Sequence, residues 1–350
     1  MSQDQSKEES EKAALNRISE MRKTEPGLSE WAFQIISGDR LSLAKGITLL
    51  ESRKPSDQDK AAELLKLVLP HSGKSRRIGI TGVPGVGKSS LIEVIGLQLI
   101  EQGHKVAVLA IDPSSKLSSG SILGDKTRMS SLSIHPSAFV RPSPAADALG
   151  GVARMTRETM ILCEAAGFDV VIIETVGVGQ SETEVQGMVD TFLLLMLAGA
   201  GDELQGIKRG IMEMADVIAV TKADGDNKNR ANEARASISS AIHLFAANAE
   251  NWTVPVITCS SQNGDNIDGL LAKLQTHHHH LLSTNALNER RKKQDIYWFR
   301  QSLDNQILQR FYQNKTIQAK ILEMEEQIAN KELSPFTASL NVLKMIYNLV

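Results

Sequence analysis

A glycine-rich loop, placed between a short apolar run and an amphipathic run, constrains this chain more than any other feature. Its residues follow the pattern G-x-x-x-x-G-K-[ST] in full: Gly82, Val83, Pro84, Gly85, Val86, Gly87, Lys88 and Ser89. The apolar run 76–81 is typical of a strand, and residues 89–101 have the pattern of a helix that ends at Gly103. A strand, a glycine-rich turn and a helix in this order form a phosphate-binding unit. The chain is therefore expected to contain an α/β domain that binds a nucleotide.

Each part of this loop has a physical role. The glycines allow the backbone to turn so that several N–H groups face one point, and the helix N-terminus adds its partial positive charge there. Lys88 is predicted to reach the β and γ phosphates, and Ser89 to give its hydroxyl oxygen to Mg²⁺. The loop and Ser90 are the candidate phosphate-binding residues, and Lys88 is also a candidate catalytic residue.

The apolar runs that follow predict a doubly wound, mostly parallel sheet. Further strands are predicted at 105–111, 169–173, 191–197, 217–221 and 255–258, with a helix near 152–166. Continuous apolar runs suit strands that are covered by helices on both faces. The spacing of strand, helix and strand over residues 76–111 is that of a parallel βαβ unit. This nucleotide-binding domain is predicted to occupy residues 76–270.

Helical extensions are predicted on both sides of the domain, over residues 1–75 and 271–350. In the first, Ser29 is predicted to cap a helix that ends at Gly38, and another helix is predicted near residues 59–69. In the second, apolar residues recur at spacings of three and four in three segments. The last segment begins with a predicted cap and first turn at Ser334-Pro335. These apolar faces either pack on the nucleotide-binding domain or form a dimer arm, and the pattern fits both.

Acidic residues follow two of the predicted strands. Glu174 stands at a strand end where a P-loop enzyme holds Mg²⁺, and Gly177 can bring its N–H to the γ phosphate. Asp112 lies in the crevice where open α/β sheets bind ligands, and it could orient water or bind metal-bound water. Asp125 lies in a polar loop nearby, where a solvated acid is a competing interpretation. Asp112 and Glu174 are candidate catalytic residues, and Ser89, Asp112, Asp125 and Glu174 are candidate Mg²⁺ residues.

A second group of polar residues, at the ends of two later strands, suits a guanine base. Asp224, in Thr221-Lys222-Ala223-Asp224, can accept hydrogen bonds from the N1–H and N2 amino groups of guanine, a donor pair that adenine lacks. Lys222 would lie under the base. A backbone N–H for guanine O6 could come from the residues after the last strand, Cys259, Ser260 and Ser261.

Composition excludes several other classes of protein. The formal net charge is −2, which offers no support for nucleic-acid binding or for attachment to acidic membranes. The longest apolar run, 192–198, is too short to span a bilayer, and the N-terminus lacks the apolar stretch of a signal peptide. The two cysteines, Cys163 and Cys259, are typical of reduced core residues. We expect a cytoplasmic protein without a nucleic-acid partner or a membrane attachment.

Together these segments resemble one family closely, the MeaB/ArgK-type GTPases associated with methylmalonyl-CoA mutase. The similarity runs from about Ala32 to Asp268. It rests on GITGVPGVGKSSL, VAVLAIDPSS, GSILGDKTRM, VIIETVGVGQSE, LAGAGDELQGIKRGIMEMAD and TKADGDN. ETVGVGQSE and GDELQGIKRGI are not general GTPase motifs, so the resemblance is specific.

The resemblance implies a homodimeric, Mg²⁺-dependent GTPase that binds GTP and GDP. Its partner would be an adenosylcobalamin-dependent methylmalonyl-CoA mutase or a related acyl-CoA mutase. GTP binding and hydrolysis would gate cofactor loading and protect or reactivate that mutase. The resemblance assigns the phosphate and Mg²⁺ contacts to Lys88, Ser89, Asp112, Asp125 and Glu174. It also makes residues 199–208 a switch that contacts the partner, although the residues alone would fit an ordinary surface connection.

One residue departs from the family pattern. The family usually has Asn where Thr221 stands, and this Asn bridges N7 of the base and the phosphate loop. Threonine offers one hydroxyl instead of an amide, so guanine binding is expected to be weaker. Asp224, which carries most of the discrimination, is present.

Three other functions compete with this interpretation. Histidines 277–280 suggest a metal-inserting GTPase by composition, but adjacent helical residues point in different directions and cannot all bind one ion. A P-loop kinase would need an acceptor site with a base, which nothing in the sequence specifies. A binding adaptor without turnover would not need the complete set of phosphate and Mg²⁺ residues.

Overall fold

The computed structural model describes residues 27–52, 54–111, 129–143, 149–175, 181–198, 209–242 and 251–347. The strands of this part are β1 (Arg76–Gly82), β2 (Val106–Ile111), β3 (Ala138–Ser143), β4 (Val170–Thr175), β5 (Thr191–Leu197), β6 (Val217–Thr221) and β7 (Val256–Thr258). They form one sheet in the order β3-β2-β4-β1-β5-β6-β7, and all six pairings are parallel. The predicted doubly wound parallel sheet is confirmed.

Helices pack on both faces of this sheet. The α-helices are α1 (Leu28–Ile36), α2 (Arg40–Glu51), α3 (Pro55–Val68), α4 (Lys88–Glu101), α5 (Ser130–Ile134), α6 (Leu149–Ala165), α7 (Ser181–Gln186), α8 (Arg209–Met214), α9 (Lys228–Ile242), α10 (Ile267–Ser283), α11 (Ala286–Gln313), α12 (Lys315–Ala329) and α13 (Pro335–Tyr347). Leu193 and Leu195 of β5 join the buried cluster that includes α4, α5 and α10, whereas Leu194 and Met196 join the cluster that includes α8 and α9. This alternation shows why β5 is apolar throughout, since both of its faces are buried.

The edge strand β3 is not predicted by the sequence. Its residues, AFVRPS, include the polar Arg141 and the ring of Pro142, which has no backbone N–H to donate. Within the described residues this strand pairs only with β2, at the edge of the sheet. Edge positions tolerate proline for this reason.

In the described part of the chain, three α-helices precede the sheet, and the cap of the first differs from the prediction. The proposed cap, Ser29, is wrong, because α1 begins at Leu28 and its N-cap is Gly27. The second predicted helix is confirmed as α3, which starts at Pro55. Between them lies α2, which the sequence does not predict and whose N-cap Asp39 accepts a 2.7 Å hydrogen bond from a backbone N–H.

The chain divides into two compact units between Leu287 and Asn288. Helix α10, which spans the predicted boundary at residue 271, belongs to the first unit. The second unit has a small core of its own, formed by Ile317, Met324, Ala338 and Val342. Its last helix starts as predicted, with the Ser334 hydroxyl oxygen accepting a 3.1 Å hydrogen bond from the Thr337 N–H. No helix in the described part of the chain has the length and apolar character needed to cross a membrane.

Candidate nucleotide site

Most of the predicted site residues within the described ranges lie at one edge of the sheet, where its parallel strands end. β1 runs into the glycine-rich loop, and Glu174 near the end of β4 pairs with Ile80 of β1. On the other side, Thr221 ends β6 beside Leu197 of β5, and Cys259 directly follows β7. This edge is where open α/β sheets bind ligands.

The loop geometry depends on glycine at two positions. Gly82 has φ +153°, and a Cβ there would lie 2.6 Å from the Leu195 carbonyl oxygen, which is too close for any side chain. Gly87 is left-handed at φ +97° and precedes the first turn of α4. The Lys88 ammonium lies over the loop and donates hydrogen bonds to the carbonyls of Gly82 and Val83 at 2.8 and 3.2 Å. A cation and a helix N-terminus thus adjoin the loop where phosphates would bind.

The remaining residues of the loop differ in their exposure. Pro84 and Gly85 are exposed at the tip, and Ser90 is exposed in the first turn of α4. Val86 is fully buried and holds the loop against the sheet beside Gly82.

Ser89 and Glu174 bring two oxygen ligands together beside the loop. The Ser89 hydroxyl donates a hydrogen bond to the Glu174 carboxylate at 3.0 Å, and both residues are buried. Hydroxyl and carboxylate oxygens are the ligands that Mg²⁺ prefers in proteins. The pair therefore fits a Mg²⁺ site in its oxygen chemistry. Three candidate residues, Asp112, Asp125 and Gly177, lie outside the described ranges, as does the predicted switch 199–208.

Thr221 connects the base end of the site to the phosphate loop. Its hydroxyl donates a 2.7 Å hydrogen bond to the carbonyl of Val86 and lies 3.3 Å from that of Met196. Thr221 is 5% exposed, so this contact lies away from water. The residue that departs from the family pattern thus keeps one of the two contacts expected of asparagine, the contact with the loop.

The Asp224 carboxylate is oriented by a side chain that the sequence analysis considered only for its backbone. The hydroxyl of the buried Ser260 donates a hydrogen bond to one oxygen of Asp224. Lys222 adopts a left-handed conformation, φ +56°, and its carbonyl accepts a 2.7 Å hydrogen bond from the Asn227 amide. The sequence could not predict the contact of Ser260 with Asp224, between the ends of two strands, because 36 residues separate the partners.

Within the described residues, only one of the three candidate donors for guanine O6 has a backbone N–H that is not already hydrogen-bonded. Cys259 donates to the Val220 carbonyl at 2.9 Å, and Ser260 donates to the Asp265 carbonyl at 3.0 Å. The N–H of Ser261 makes no hydrogen bond within the described residues. Ser261 is therefore the candidate donor for O6.

The histidine tract has a structural setting in the first unit. His277 is fully buried, its Nδ1 lies 2.9 Å from the Thr191 hydroxyl, and its Nε2 lies 3.4 Å from Asp216. Its ring packs against Trp252, with centroids 4.8 Å apart. Across the described ranges, no group of three His, Cys, Asp or Glu side chains is arranged to hold a metal ion. The geometry thus gives the metal interpretation no support in this part of the chain.

The parallel sheet, the glycine-rich loop and the polar residues at the adjoining strand ends define a P-loop GTPase. The chain matches the family described as "Methylmalonyl Co-A mutase-associated GTPase MeaB" over residues 43–316, and it belongs to that family.

Individual relatives agree with this assignment. A Mycobacterium tuberculosis protein named "Probable GTPase Rv1496" is 48% identical over 314 residues, covering 90% of this chain and 94% of that protein. "GTPase ArgK" of Escherichia coli is 43% identical over 313 residues, covering 89% and 95%. A solved structure titled "LAO/AO transport system kinase" superimposes with a TM-score of 0.71 at 37% identity, covering 91% of this chain and 97% of that one.

Proposed function

We propose that this GTPase is a chaperone for an adenosylcobalamin-dependent methylmalonyl-CoA mutase or a related acyl-CoA mutase. It would gate the loading of the cobalamin cofactor and protect or reactivate the mutase. The observation that carries the proposal is membership, over residues 43–316, of a family described by its association with that mutase. The site geometry supports the GTP-dependent part of the proposal, as follows.

For hydrolysis, we assign the phosphate contacts to the loop and to Lys88. On nucleotide binding, its ammonium would exchange the carbonyls of Gly82 and Val83 for the β and γ phosphate oxygens. Ser89 and Glu174 would hold Mg²⁺, with Asp112 and Asp125 as further candidates from the sequence. When bound, Mg²⁺ neutralises charge that develops on the phosphates. Asp112 and Glu174 are the candidates for orienting the attacking water.

For base recognition, we assign the N1–H and N2 amino groups of guanine to Asp224 and O6 to the Ser261 N–H. The Ser260 hydroxyl would hold the carboxylate in place while the base binds. Adenine has no donor pair for Asp224, so ATP would leave this carboxylate without the contacts that guanine supplies. GTP is therefore the expected nucleotide.

A homodimer is proposed for the second unit. Helix α11 has a series of large apolar side chains that are at least 45% exposed in the isolated chain: Ile296, Tyr297, Phe299, Leu303, Ile307, Leu308 and Tyr312. Exposed apolar surface of this extent is typical of protein interfaces. Light scattering should give twice the chain mass, and Phe299→Asp with Ile307→Asp should give the monomer mass. A monomer for the unsubstituted protein would exclude the homodimer.

Two alternatives share the same phosphate chemistry. A P-loop kinase would transfer the γ phosphate to an acceptor other than water, and a metal-inserting GTPase would bind a transition metal. Product analysis with γ-labelled GTP distinguishes the kinase from the GTPase, because hydrolysis releases the label as inorganic phosphate. Equilibrium dialysis against Ni²⁺ or Zn²⁺, with His277→Ala and His279→Ala compared, tests the second.

The central experiment measures association with the mutase and its dependence on nucleotide. The tagged protein is added to a lysate of its host with GDP, with a non-hydrolysable GTP analogue or with neither, and the retained proteins are identified. Recovery of a cobalamin-dependent mutase, with an amount that changes with the nucleotide, is expected. Purified mutase should then accept adenosylcobalamin at a rate that depends on GTP. Absence of binding to purified mutase in all nucleotide states would refute the proposal.

A further inference from the structure

The hydroxyl of Thr221 has a single proton, which it donates to the protein backbone. It lies 2.7 Å from the Val86 carbonyl and 3.3 Å from that of Met196, and both acceptors are backbone oxygens. Because Thr221 is β-branched and lies in the β6 strand, its χ1 rotation is restricted. Turning the hydroxyl elsewhere would leave the carbonyl of the buried Val86 without this donor.

Guanine presents two acceptors, N7 and O6, on its major-groove edge. N7 needs a donor, and a threonine whose proton is already donated can offer N7 only oxygen lone pairs. An asparagine amide has two N–H protons at one nitrogen, so it could serve the loop and N7 together. Position 221 therefore supplies the loop contact here and leaves N7 without a donor from this residue.

We infer that Thr221 is a positioning residue for the phosphate loop and makes no hydrogen bond to guanine N7, so that guanine is held through its N1, N2 and O6 groups. The inference rests on the proposed assignment of Asp224 to guanine. It predicts tolerance of bases that keep the N1, N2 and O6 groups and change N7.

The test compares GTP with 7-deaza-GTP, in which a C–H replaces N7. The two dissociation constants are measured on the full chain and on Thr221→Asn, Thr221→Ser and Thr221→Val. The unsubstituted protein and Thr221→Ser should bind both nucleotides equally, to within about twofold. Thr221→Asn should prefer GTP by roughly 2- to 12-fold, the contribution of one neutral hydrogen bond. Thr221→Val should weaken both nucleotides by the same factor, because it removes only the loop contact.

Two results would overturn the inference, and a third would overturn the proposed guanine site instead. A preference of fivefold or more for GTP over 7-deaza-GTP in the unsubstituted protein would overturn the inference. So would an unchanged ratio in a folded Thr221→Asn protein. If Asp224→Asn retains the full preference for GTP over ATP, the proposed guanine site fails instead, whatever the 7-deaza-GTP ratio. Because the ratio compares two nucleotides on one protein, a merely structural effect of the substitution cancels.

Discussion

The Ser89 hydroxyl and the Glu174 carboxylate are 3.0 Å apart although 85 residues separate them in the chain. Ser89 is in the first turn of α4, and Glu174 is near the end of β4, beside β1 in the sheet. Their contact joins the loop that binds phosphates to the strand end that is proposed to bind the metal. A change at either residue is therefore expected to affect metal binding and hydrolysis together.

Glu174→Gln is expected to weaken Mg²⁺-dependent turnover by roughly 10- to 100-fold, the range for residues that orient a metal or its water. The amide keeps the size of the side chain and removes its negative charge. GTP turnover is measured while Mg²⁺ is titrated. Glu101→Gln, an exposed residue at the other end of α4, is the control and should behave as the unsubstituted protein. Equal Mg²⁺ dependence in both variants would contradict the metal assignment.

Lys88→Ala is expected to abolish GTP hydrolysis and greatly weaken nucleotide binding while the fold is kept. The side chain contacts the loop carbonyls of Gly82 and Val83 and is proposed to move to the phosphates. Turnover, binding of a fluorescent GDP analogue and thermal unfolding are measured in parallel. Lys105→Ala, exposed next to the start of β2, is the charge-matched control. Near-normal turnover in Lys88→Ala would refute the phosphate-loop assignment.

Asp224→Asn is expected to lower GTP affinity by roughly 10- to 100-fold, as for the loss of one bidentate contact to a base. It should also raise affinity for xanthosine triphosphate, because the C2 oxygen of xanthine accepts a hydrogen bond from an amide. Asp226→Asn, two residues away and exposed, is the matched control. Equal affinities of the unsubstituted protein for ATP and GTP would rule out this specificity mechanism.

The buried ion pair between Arg77 and Glu164 predicts a loss of stability on substitution. The Arg77 Nε lies 2.7 Å from Glu164, whose carboxylate also accepts hydrogen bonds from the Ser75 hydroxyl and the Gly73 N–H. Glu164→Gln leaves a buried guanidinium without its charge partner and should lower the free energy of unfolding by about 3–5 kcal/mol. Chemical denaturation at neutral pH measures this. Lys228→Gln, which removes an exposed pair, should change it by about 0–1 kcal/mol.

The same pair predicts how stability depends on pH. Burial alone would raise the pKa of Glu164. The hydrogen bonds and the positive charge of Arg77, together with hydrogen bonds from Ser75 and Gly73, lower this pKa below its ordinary value. Because the pKa is lower in the folded state, this contribution is fully present above about pH 4.3 and is lost as the pH falls through the folded-state value. Stability between about pH 5 and pH 3 should fall more steeply in the unsubstituted protein than in Glu164→Gln. Parallel curves would contradict this origin of the acid sensitivity.

The sequence predicted the elements whose apolar pattern is continuous and missed those whose pattern is interrupted. β5 and β6 were predicted with their full bounds, because both faces of each strand are buried. Helix α2 was missed because Gly46 interrupts its pattern. The structure explains this glycine, since a Cβ there would lie 3.2 Å from Ile35 and 3.4 Å from Leu162. Such close packing between helices depends on the fold and is not visible in one segment.

The candidate site was predicted to a similar extent. Residue types and strand ends were sufficient to propose the loop, Glu174 and Asp224, because parallel strands bring their carboxyl ends together. The donors that position them, such as the Ser260 hydroxyl on Asp224, depend on the register of β6 and β7. Likewise, the hydrogen bond from the Thr221 hydroxyl to the Val86 carbonyl depends on how the loop packs against β6 and is not visible in the sequence.

The proposed mutase partner is expected to change the rate of GTP hydrolysis. The free protein is expected to hydrolyse GTP slowly, and a cobalamin-dependent acyl-CoA mutase is expected to accelerate it. The sequence has no arginine between Glu174 and Glu182 that could neutralise charge on the γ phosphate. Two candidates from the sequence, Arg128 and Arg154, have side chains outside the described part of the structure. Completing a site that lacks such a charge is worth on the order of 10³-fold or more in other GTPases.

Partner binding could complete the site by ordering loops, without donating a residue of its own. The proposed switch, residues 199–208, has charged residues, including Lys208, that could exchange contacts between protein and partner. Steady-state GTP turnover is therefore measured with and without excess mutase, on the unsubstituted protein, on Lys208→Ala and on the exposed control Lys273→Ala. Stimulation that is lost only in Lys208→Ala supports both the partner and the switch. Equal stimulation of all three proteins keeps the partner and removes the role of Lys208. An unchanged rate with a mutase that demonstrably binds would defeat the hypothesis, because association would then not alter the catalytic site.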